Sequence, residues 1–330
     1  MSGGWLPYHL RRNKAIDRAI FIEFLSRLNA IRPINSYGYI GFGAVRMEDF
    51  KLVHSLFDIK NMICIEKDEA VHSRQKFNAP FNCIKLELIS SGDFITNFVS
   101  DMNYIIWLDY SSPKEIGQQI NEIRELLPKL REYDVLKVTL NANPYTLCKE
   151  WKYKGDIKAL HEKRLNKLIE RLNIDYFPQE VDPFMMNEKG YPRVLLNILE
   201  LTCLDGLAYT EHRFQPVLSF VYKDAAHQML TLTGIVVRRK ISQEECLSQL
   251  NLNNWSFANL SWNEYRIIDI PDLTLKERLL IDSLLPCEDL DEVLKNVPVQ
   301  FNEIEEKSLE QIRNYIKYYR HYPFFSKISI

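Results

Sequence analysis

The stretch Tyr37-Gly-Tyr-Ile-Gly-Phe-Gly-Ala44 predicts a β-strand that ends in a glycine turn, and it decides the fold of this chain. A helical stretch follows, and then the apolar run Met62-Ile-Cys-Ile65 predicts a second strand that ends at Glu66. Gly41 and Gly43 lack a Cβ, so the backbone can turn tightly there and approach a ligand closely. Glu66 follows Gly43 by 23 residues, which is near the ~20-residue spacing at which an acidic side chain reaches a ribose hydroxyl. The sequence therefore predicts a ligand that contains adenosine, although Glu66 by itself is equally compatible with an exposed strand-end charge.

Strand and helix patterns alternate through the first 140 residues. Predicted strands cover residues 37–44, 62–65, 83–88, 103–109 and 134–140. Predicted helices cover residues 11–31, 47–57, 67–77, 93–99 and 113–131, the last beginning at Pro113. This alternation is typical of an α/β, doubly wound, Rossmann-like parallel sheet, which binds ligands at the carboxyl ends of its strands. Gly41, Gly43, Glu66 and Asp109 all fall at such ends, so we expect them to share one site.

The second half of the chain changes pattern. A basic helix is predicted over residues 152–171. Two β-rich runs over residues 216–224 and 227–237 are joined by two alanines and predict an antiparallel hairpin. From Ser242 onward the composition is helical and mixed. We therefore predict an N-terminal helical segment, a Rossmann-like domain and a mainly helical C-terminal appendage, covering residues 1–34, 35–240 and 241–330.

A parallel sheet that ends in a hairpin is the usual arrangement of the S-adenosylmethionine-dependent class I methyltransferases, which this chain resembles over residues 35–240. More narrowly, it is similar to a bacterial group of proposed O-methyltransferases. The fragments that carry the resemblance are Tyr39-Ile-Gly-Phe-Gly-Ala44, Ile63-Cys-Ile-Glu-Lys-Asp68, Leu108-Asp-Tyr110 and Val221-Tyr-Lys-Asp224.

The resemblance implies S-adenosylmethionine as cofactor and assigns residues to its parts. Gly41, Phe42 and Gly43 would pack against the methionine portion, Glu66 would accept hydrogen bonds from the ribose hydroxyls, and Asp93 would contact the adenine.

The resemblance also implies catalytic residues. Asp109 and Tyr110 would face the methyl donor and the substrate, with Asp109 as the proton acceptor for an oxygen or nitrogen nucleophile. Two alternatives stay open at this point. Asp109 is also a good N-cap for the helix that follows, and Tyr110 is also a good packing residue.

Two positions depart from the usual glycine-loop pattern. Tyr39 stands where an acidic residue usually precedes the first glycine by two positions, and Val45 stands where a third glycine is usual. The departures leave open a second function, a catalytically inactive binding or scaffold component of a multi-protein bacterial system. A nicotinamide-dependent oxidoreductase shares the βαβ unit, but the hairpin and the lack of a clear Ser/Tyr-Lys arrangement argue against it.

Charge and composition limit the partners. The formal net charge is −2, so a globally basic nucleic-acid binder is not indicated. The basic helix over residues 152–171 and the basic-aromatic run over residues 313–322 keep nucleic acid as a weaker alternative to solvated or packed helices. We expect an unidentified methyl acceptor, and a protein partner recognised through residues 241–330.

Cysteine, histidine and apolar patterns predict the compartment. The six cysteines contain no CxxC pair and the seven histidines have no metal-like spacing, so we expect reduced thiols and no metal site. No apolar run approaches the ~20 residues of a membrane span, and the N-terminus lacks a signal-peptide core. These features predict a cytoplasmic protein without a membrane partner.

Overall fold

An eight-stranded mixed sheet forms the centre of the chain in a computed structural model, which describes residues 11–149, 155–172, 177–178, 180–224, 227–287, 289–297 and 300–323. Its strands are β1 (Gly38–Gly41), β2 (Asn61–Glu66), β3 (Ile84–Leu88), β4 (Tyr104–Asp109), β5 (Val135–Asn141), β6 (His212–Asp224), β7 (His227–Arg238) and β8 (Arg266–Ile268). Their order is β3-β2-β1-β4-β5-β7-β6-β8. Strands β1 to β5 pair in parallel, whereas β7 pairs antiparallel with both β5 and β6. The predicted doubly wound sheet with a terminal hairpin is confirmed.

Strand β8 is the part of the sheet that the sequence patterns did not predict. It is three residues long and pairs in parallel with β6, with Val221 opposite Ile267. Because β8 belongs to the C-terminal segment, that segment extends the central sheet as well as adding helices.

Helices cover both faces of the sheet. They are α1 (Arg12–Ile31), α2 (Glu48–Phe57), α3 (Glu69–Asn78), α4 (Ser91–Asn97), α5 (Ile116–Leu126), α6 (Ile157–Leu172), α7 (Tyr191–Gly206), α8 (Gln243–Gln249), α9 (Leu275–Ser283), α10 (Leu290–Asn296) and α11 (Glu305–Tyr318). One apolar core contains side chains of α1, α2 and α11, such as Phe24, Phe50 and Tyr318, and the second contains those of α5 and α7, such as Ile120 and Leu195. The two cores lie on opposite faces of the sheet, because β4 gives Trp107 to the first and Ile106 to the second in the alternation of a strand.

The helix after β4 is shorter than its pattern predicts. It begins at Ile116 instead of Pro113, and the Pro113 carbonyl accepts a hydrogen bond from the Arg171 guanidinium. It ends at Leu126 instead of Arg131, where a 3-10 turn contains Pro128. Proline lacks the N–H that would continue the α-helical ladder, so the pattern overestimates the helix at its end.

Parts of three predicted features lie outside the described residues. These parts are the hairpin turn at residues 225–226, the first residues of the predicted basic helix at 152–154, and the chain termini at 1–10 and 324–330.

A layer of charged side chains lies buried between α1 and the sheet. Lys137 of β5 forms an ion pair with Asp17 of α1 at 2.9 Å, and both side chains are 0% exposed. The Thr231 hydroxyl donates a second hydrogen bond to the same Asp17 oxygen. Lys14 and Arg18 lie three positions before and one after Asp17, which places all three on one face of α1. That face, although charged, is the one that α1 turns towards the sheet.

We expect Lys137→Leu to lower the free energy of unfolding by about 3–5 kcal/mol, because it leaves the buried Asp17 carboxylate without its counter-charge. Chemical denaturation followed by circular dichroism measures the change. Lys158→Leu is the matched control, since the Lys158–Glu162 pair is exposed and its loss should change stability by no more than about 0.5 kcal/mol. Equal losses in the two variants would show that the buried pair has no special structural role.

The C-terminal segment packs against α1. The Trp255 ring stacks on Phe24 with a centroid separation of 6.4 Å, and its indole N–H donates to Glu23. His321 Nε2 lies 2.7 Å from the other Glu23 oxygen. Tyr318, buried in the same core, donates its hydroxyl to the carbonyl of Ile267 in β8. The boundaries at residues 34 and 240 stay predictions, and these contacts favour cooperative folding across both of them.

A chain that ends at Lys240 should therefore lose its cooperative unfolding transition, because the truncation uncovers Phe24 and removes β8 from the sheet edge. Thermal unfolding by circular dichroism, with solubility as a second measure, tests this. A soluble truncated protein that unfolds with an unchanged midpoint would instead support a separable appendage.

Candidate cofactor and active site

The glycine turn follows β1 and requires glycine at residue 43. Gly43 has a φ of +65°, a left-handed backbone conformation that residues other than glycine adopt rarely. A Cβ there would lie 2.8 Å from the Cys64 sulfur and 2.9 Å from the Phe50 ring. Ala44 and Met47 also have positive φ, of 45° and 47°, so the chain turns sharply before α2 begins.

Gly41 is required for a different reason, which is space at the end of β1. A Cβ there would lie 3.3 Å from the Asp49 carboxylate and 3.5 Å from the Trp107 carbonyl. Gly41 is buried, so a larger side chain would have to displace these groups.

The turn is held from α3 by Gln75, a residue that the sequence patterns did not single out. Its side-chain amide donates to the carbonyls of Phe42 and Ala44 at 3.1 and 3.0 Å. The Cys64 thiol also donates to the Phe42 carbonyl, at 3.3 Å. The Phe42 ring meets the Tyr110 ring edge-on, with centroids 5.5 Å apart.

Glu66 lies at the carboxyl end of β2, the strand next to β1, and is partly exposed. One of its oxygens accepts a hydrogen bond from the Asp68 amide at 2.8 Å, which orients the side chain. An ionised carboxylate has about four acceptor positions, so further donors can bind to it.

Asp93 lies after β3, the next strand along, in the first turn of α4. Its side chain is exposed, and the Ser90 hydroxyl donates to it at 2.6 Å. The order β3-β2-β1-β4 thus places the carboxyl ends of these four strands side by side. Asp93, Glu66, Gly41 and Asp109 lie at or just after these ends, and we call this end of the sheet the cofactor edge.

Asp109 ends β4 and forms an ion pair with Lys14 of α1. Their side-chain atoms lie 2.7 Å apart, and the Lys14 and Asp109 side chains are 7% and 25% exposed. Burial would raise the pKa of Asp109, but the charge of Lys14 and hydrogen bonds from Lys14 and Thr139 hold that pKa below its usual value. The alternative that Asp109 caps the next helix is wrong, because α5 begins at Ile116 after Glu115.

The Tyr110 hydroxyl binds to α5 on the other face of the sheet. It donates to the Glu122 carboxylate at 2.5 Å, and Tyr110 is buried in the second apolar core. Burial and the Glu122 charge raise the pKa of Tyr110 well above its usual value. These contacts favour the packing alternative for Tyr110, whose assignment as a catalytic residue stays a prediction.

A second carboxylate, Asp49 of α2, lies near the end of β1 and was not predicted. The Tyr39 hydroxyl donates to it at 2.6 Å. Burial raises the pKa of Asp49, although the Tyr39 hydrogen bond and the charge of Arg18 oppose the rise. Lys14 and Arg18 are four residues apart, which places both on one face of α1. From this spacing, the charged face of α1 could have been predicted.

A cavity of about 380 Å³ lies elsewhere, beside the first residues of β6. It is lined by Arg213, Gln215 and Trp262, among others. Gln215 pairs with Ile235, which pairs with Val135 at the amino end of β5. The cavity therefore lies at the opposite edge of the sheet from Gly41 and Glu66.

The described residues contain no group of three or more His, Cys, Asp or Glu side chains placed to hold a metal ion. Within the same residues, no helix is both long and apolar enough to span a membrane.

The solved structures include distant likenesses. The N-methyltransferase NodS from Bradyrhizobium japonicum WM9 is 11% identical, with 68% of this chain and 97% of that chain covered at a TM-score of 0.35. The fibrillarin/Nop5p complex contains a chain that is 9% identical, with 62% and 73% covered at a TM-score of 0.33. Such low scores carry no weight for fold or function.

The sequence family gives the assignment. Among curated proteins, none matches this chain. The profile of the family described as "Putative O-methyltransferase" matches residues 6–330, which is nearly the whole length. The methyltransferase family predicted from the glycine turn, Glu66, Asp109 and the hairpin is thereby confirmed, and the chain belongs to this O-methyltransferase family.

Proposed function

We propose that this protein transfers the methyl group of S-adenosylmethionine to an acceptor, with oxygen as the nucleophile that the family description indicates. The observation that carries the proposal is the shared sheet edge, where Gly41, Glu66, Asp93 and Asp109 end or follow four adjacent strands. Ligands of open α/β sheets bind at this edge.

The residues at this edge fit the nucleoside half of the cofactor. Glu66 is partly exposed, oriented by the Asp68 amide, and retains acceptor capacity for the two ribose hydroxyls. Exposed Asp93 lies one strand further out, where the adenine would extend.

The cofactor brings an activated methyl group on a sulfonium, so the protein's main task is to position the acceptor. Asp109 is ionised because Lys14 holds its pKa low. An ion-paired carboxylate can orient an acceptor hydroxyl and take its proton, although a low pKa makes it a weaker base. The Tyr110 hydroxyl is committed to Glu122, so we assign it no proton transfer.

The C-terminal segment is our candidate for recognition of the acceptor or of a protein partner. Helix α9 exposes Leu275 and Leu279, whose side chains are 70% and 58% exposed. Nucleic acid is the weaker partner. Arg164 and Arg171 of the basic helix bind backbone carbonyls of this chain, and Tyr315 and Tyr318 of the tail are buried. The six free cysteines favour a reducing, cytoplasmic location.

A catalytically inactive binding component is the second candidate function. Tyr39 and Val45 depart from the usual glycine loop, and the Asp109 carboxylate is already ion-paired with Lys14. Such a protein would bind the cofactor without turnover, and it is distinguished from the enzyme by assay of methyl transfer after binding has been shown.

Glu66→Ala should weaken S-adenosylmethionine binding by about 1–3 kcal/mol, the range for losing a hydrogen bond to a charged group. Isothermal titration of the full chain measures the affinity, with exposed Glu69→Ala in the first turn of α3 as the matched control. Unchanged affinity in a folded Glu66→Ala protein would reject the ribose assignment. Binding of NAD in place of S-adenosylmethionine would favour an oxidoreductase.

Asp109→Asn keeps the shape of the side chain but removes its charge, and it should reduce methyl transfer by ~10²–10⁴-fold if Asp109 takes the proton. Release of S-adenosylhomocysteine, with an acceptor found by screening, measures turnover. Lys14→Met should shift the acid limb of the rate profile to higher pH, because it removes the charge that lowers the pKa of Asp109. Full turnover in folded Asp109→Asn would limit Asp109 to anchoring α1.

A further inference from the structure

The outer side of β3 is open. This strand is the first in the sheet order, and within the described residues no strand pairs with its outer side. The Cys83 carbonyl and the Ile89 amide both form hydrogen bonds with β2, so every second residue of this stretch binds to β2. In a parallel ladder, the residues between them direct their N–H and C=O groups to the other side. The residues with outward backbone groups are therefore Ile84, Leu86 and Leu88.

The outer strand at the other end of the sheet order, β8, is covered. Helix α11 packs against it, and the Tyr318 hydroxyl donates to the Ile267 carbonyl. Proteins often cover an outer strand in this way, because its unpaired backbone groups can bind another strand. An exposed lysine such as Lys85 can also oppose pairing, so the alternative role of Lys85 is to keep β3 unpaired.

The sequence of β3, Ile84-Lys85-Leu86-Glu87-Leu88, is complementary to itself in the antiparallel direction. With a two-fold axis at Leu86, Lys85 of each strand faces Glu87 of the other, and Ile84 faces Leu88. The apolar residues have the outward backbone groups, so they would form the hydrogen-bonded pairs. Lys85 and Glu87 would form the pairs without hydrogen bonds, in which opposing side chains are closest.

We infer that β3 is a dimer interface, at which it pairs antiparallel with β3 of a second copy of this chain. Lys85 and Glu87 already form an ion pair within the chain, and residues two apart in a strand share one face of the sheet. In the dimer, these two residues and their counterparts would form a cluster of four charges with alternating signs. This charge match favours a second copy over an unrelated strand.

A five-residue strand buries little area, so a stable dimer also needs apolar surface beside it. Helix α3 packs against β3. Phe77, in the last turn of this helix, is 91% exposed, and Leu88 at the end of β3 is half-exposed. These side chains supply apolar surface on the two elements that would approach the second copy.

Charge reversal tests the interface by sedimentation equilibrium of the full chain. Lys85→Glu and Glu87→Lys should each weaken dimerisation by at least about tenfold, because each places like charges opposite one another twice per dimer. An equimolar mixture of the two variants should dimerise again, since it pairs an all-acidic strand face with an all-basic one. The double variant Lys85→Glu/Glu87→Lys is again complementary to itself and should also dimerise.

Lys158→Glu is the matched control. The Lys158 side chain is 73% exposed and pairs with Glu162 on α6, whereas that of Lys85 is 72% exposed and pairs with Glu87. The control makes the same charge reversal away from β3, so its dimer affinity should stay within about twofold of wild type. A second measurement needs no variant. Hydrogen exchange at the Leu86 amide should slow as the concentration of wild-type protein rises, because that N–H binds the second copy only in the dimer.

Three results would overturn the inference. Wild-type protein that stays monomeric at about 100 µM would leave Lys85 as the residue that keeps β3 unpaired. Single variants that dimerise as tightly as wild type would place the interface elsewhere. A mixture of the single variants that stays monomeric would exclude the antiparallel register. None of these results bears on cofactor binding, because antiparallel strands point the cofactor edges of the two copies in opposite directions.

Discussion

The buried ion pair between Asp17 and Lys137 fixes α1 on the sheet, and the arrangement of the site depends on it. Both side chains are 0% exposed, so each loses its hydration and needs the other at close range. A shift of α1 by one residue would leave two buried charges unpaired. Because Lys14 and Arg18 share the helical face of Asp17, the same register directs Lys14 to Asp109 and Arg18 towards Asp49. One pair therefore determines which charges of α1 reach the carboxyl end of β1 and β4.

The fixed helix also organises the C-terminal segment. Towards its carboxyl end, α1 presents Phe24 and Glu23, which contact Trp255 and His321. The segment further reaches the sheet itself through β8. The charged contacts at the strand ends and the contacts of the C-terminal segment thus share α1, so a change in this helix would disturb both.

The sequence patterns predicted the elements that are determined by residues close together in the chain. The glycine turn, the five parallel strands and the hairpin follow from apolar alternation and from glycine, and their family is confirmed. Contacts between distant residues were not predictable in this way. Asp17 and Lys137 are 120 residues apart, and Lys14 and Asp109 are 95 apart. A short edge strand such as β8 has too few residues to produce a periodic signal.

The side-chain contacts of the candidate site were likewise not predictable from the sequence patterns. Strand ends place Glu66 and Asp109 at one edge, but they do not show that Asp109 is ion-paired or that Tyr110 donates to Glu122. A crystal structure of the full chain with S-adenosylhomocysteine would test the account most directly. We expect the ribose hydroxyls within hydrogen-bond distance of Glu66, the methionine portion near Gly41, and α1 still paired with the sheet through Asp17 and Lys137. Ligand bound away from this edge, for instance in the cavity beside Arg213, would contradict it.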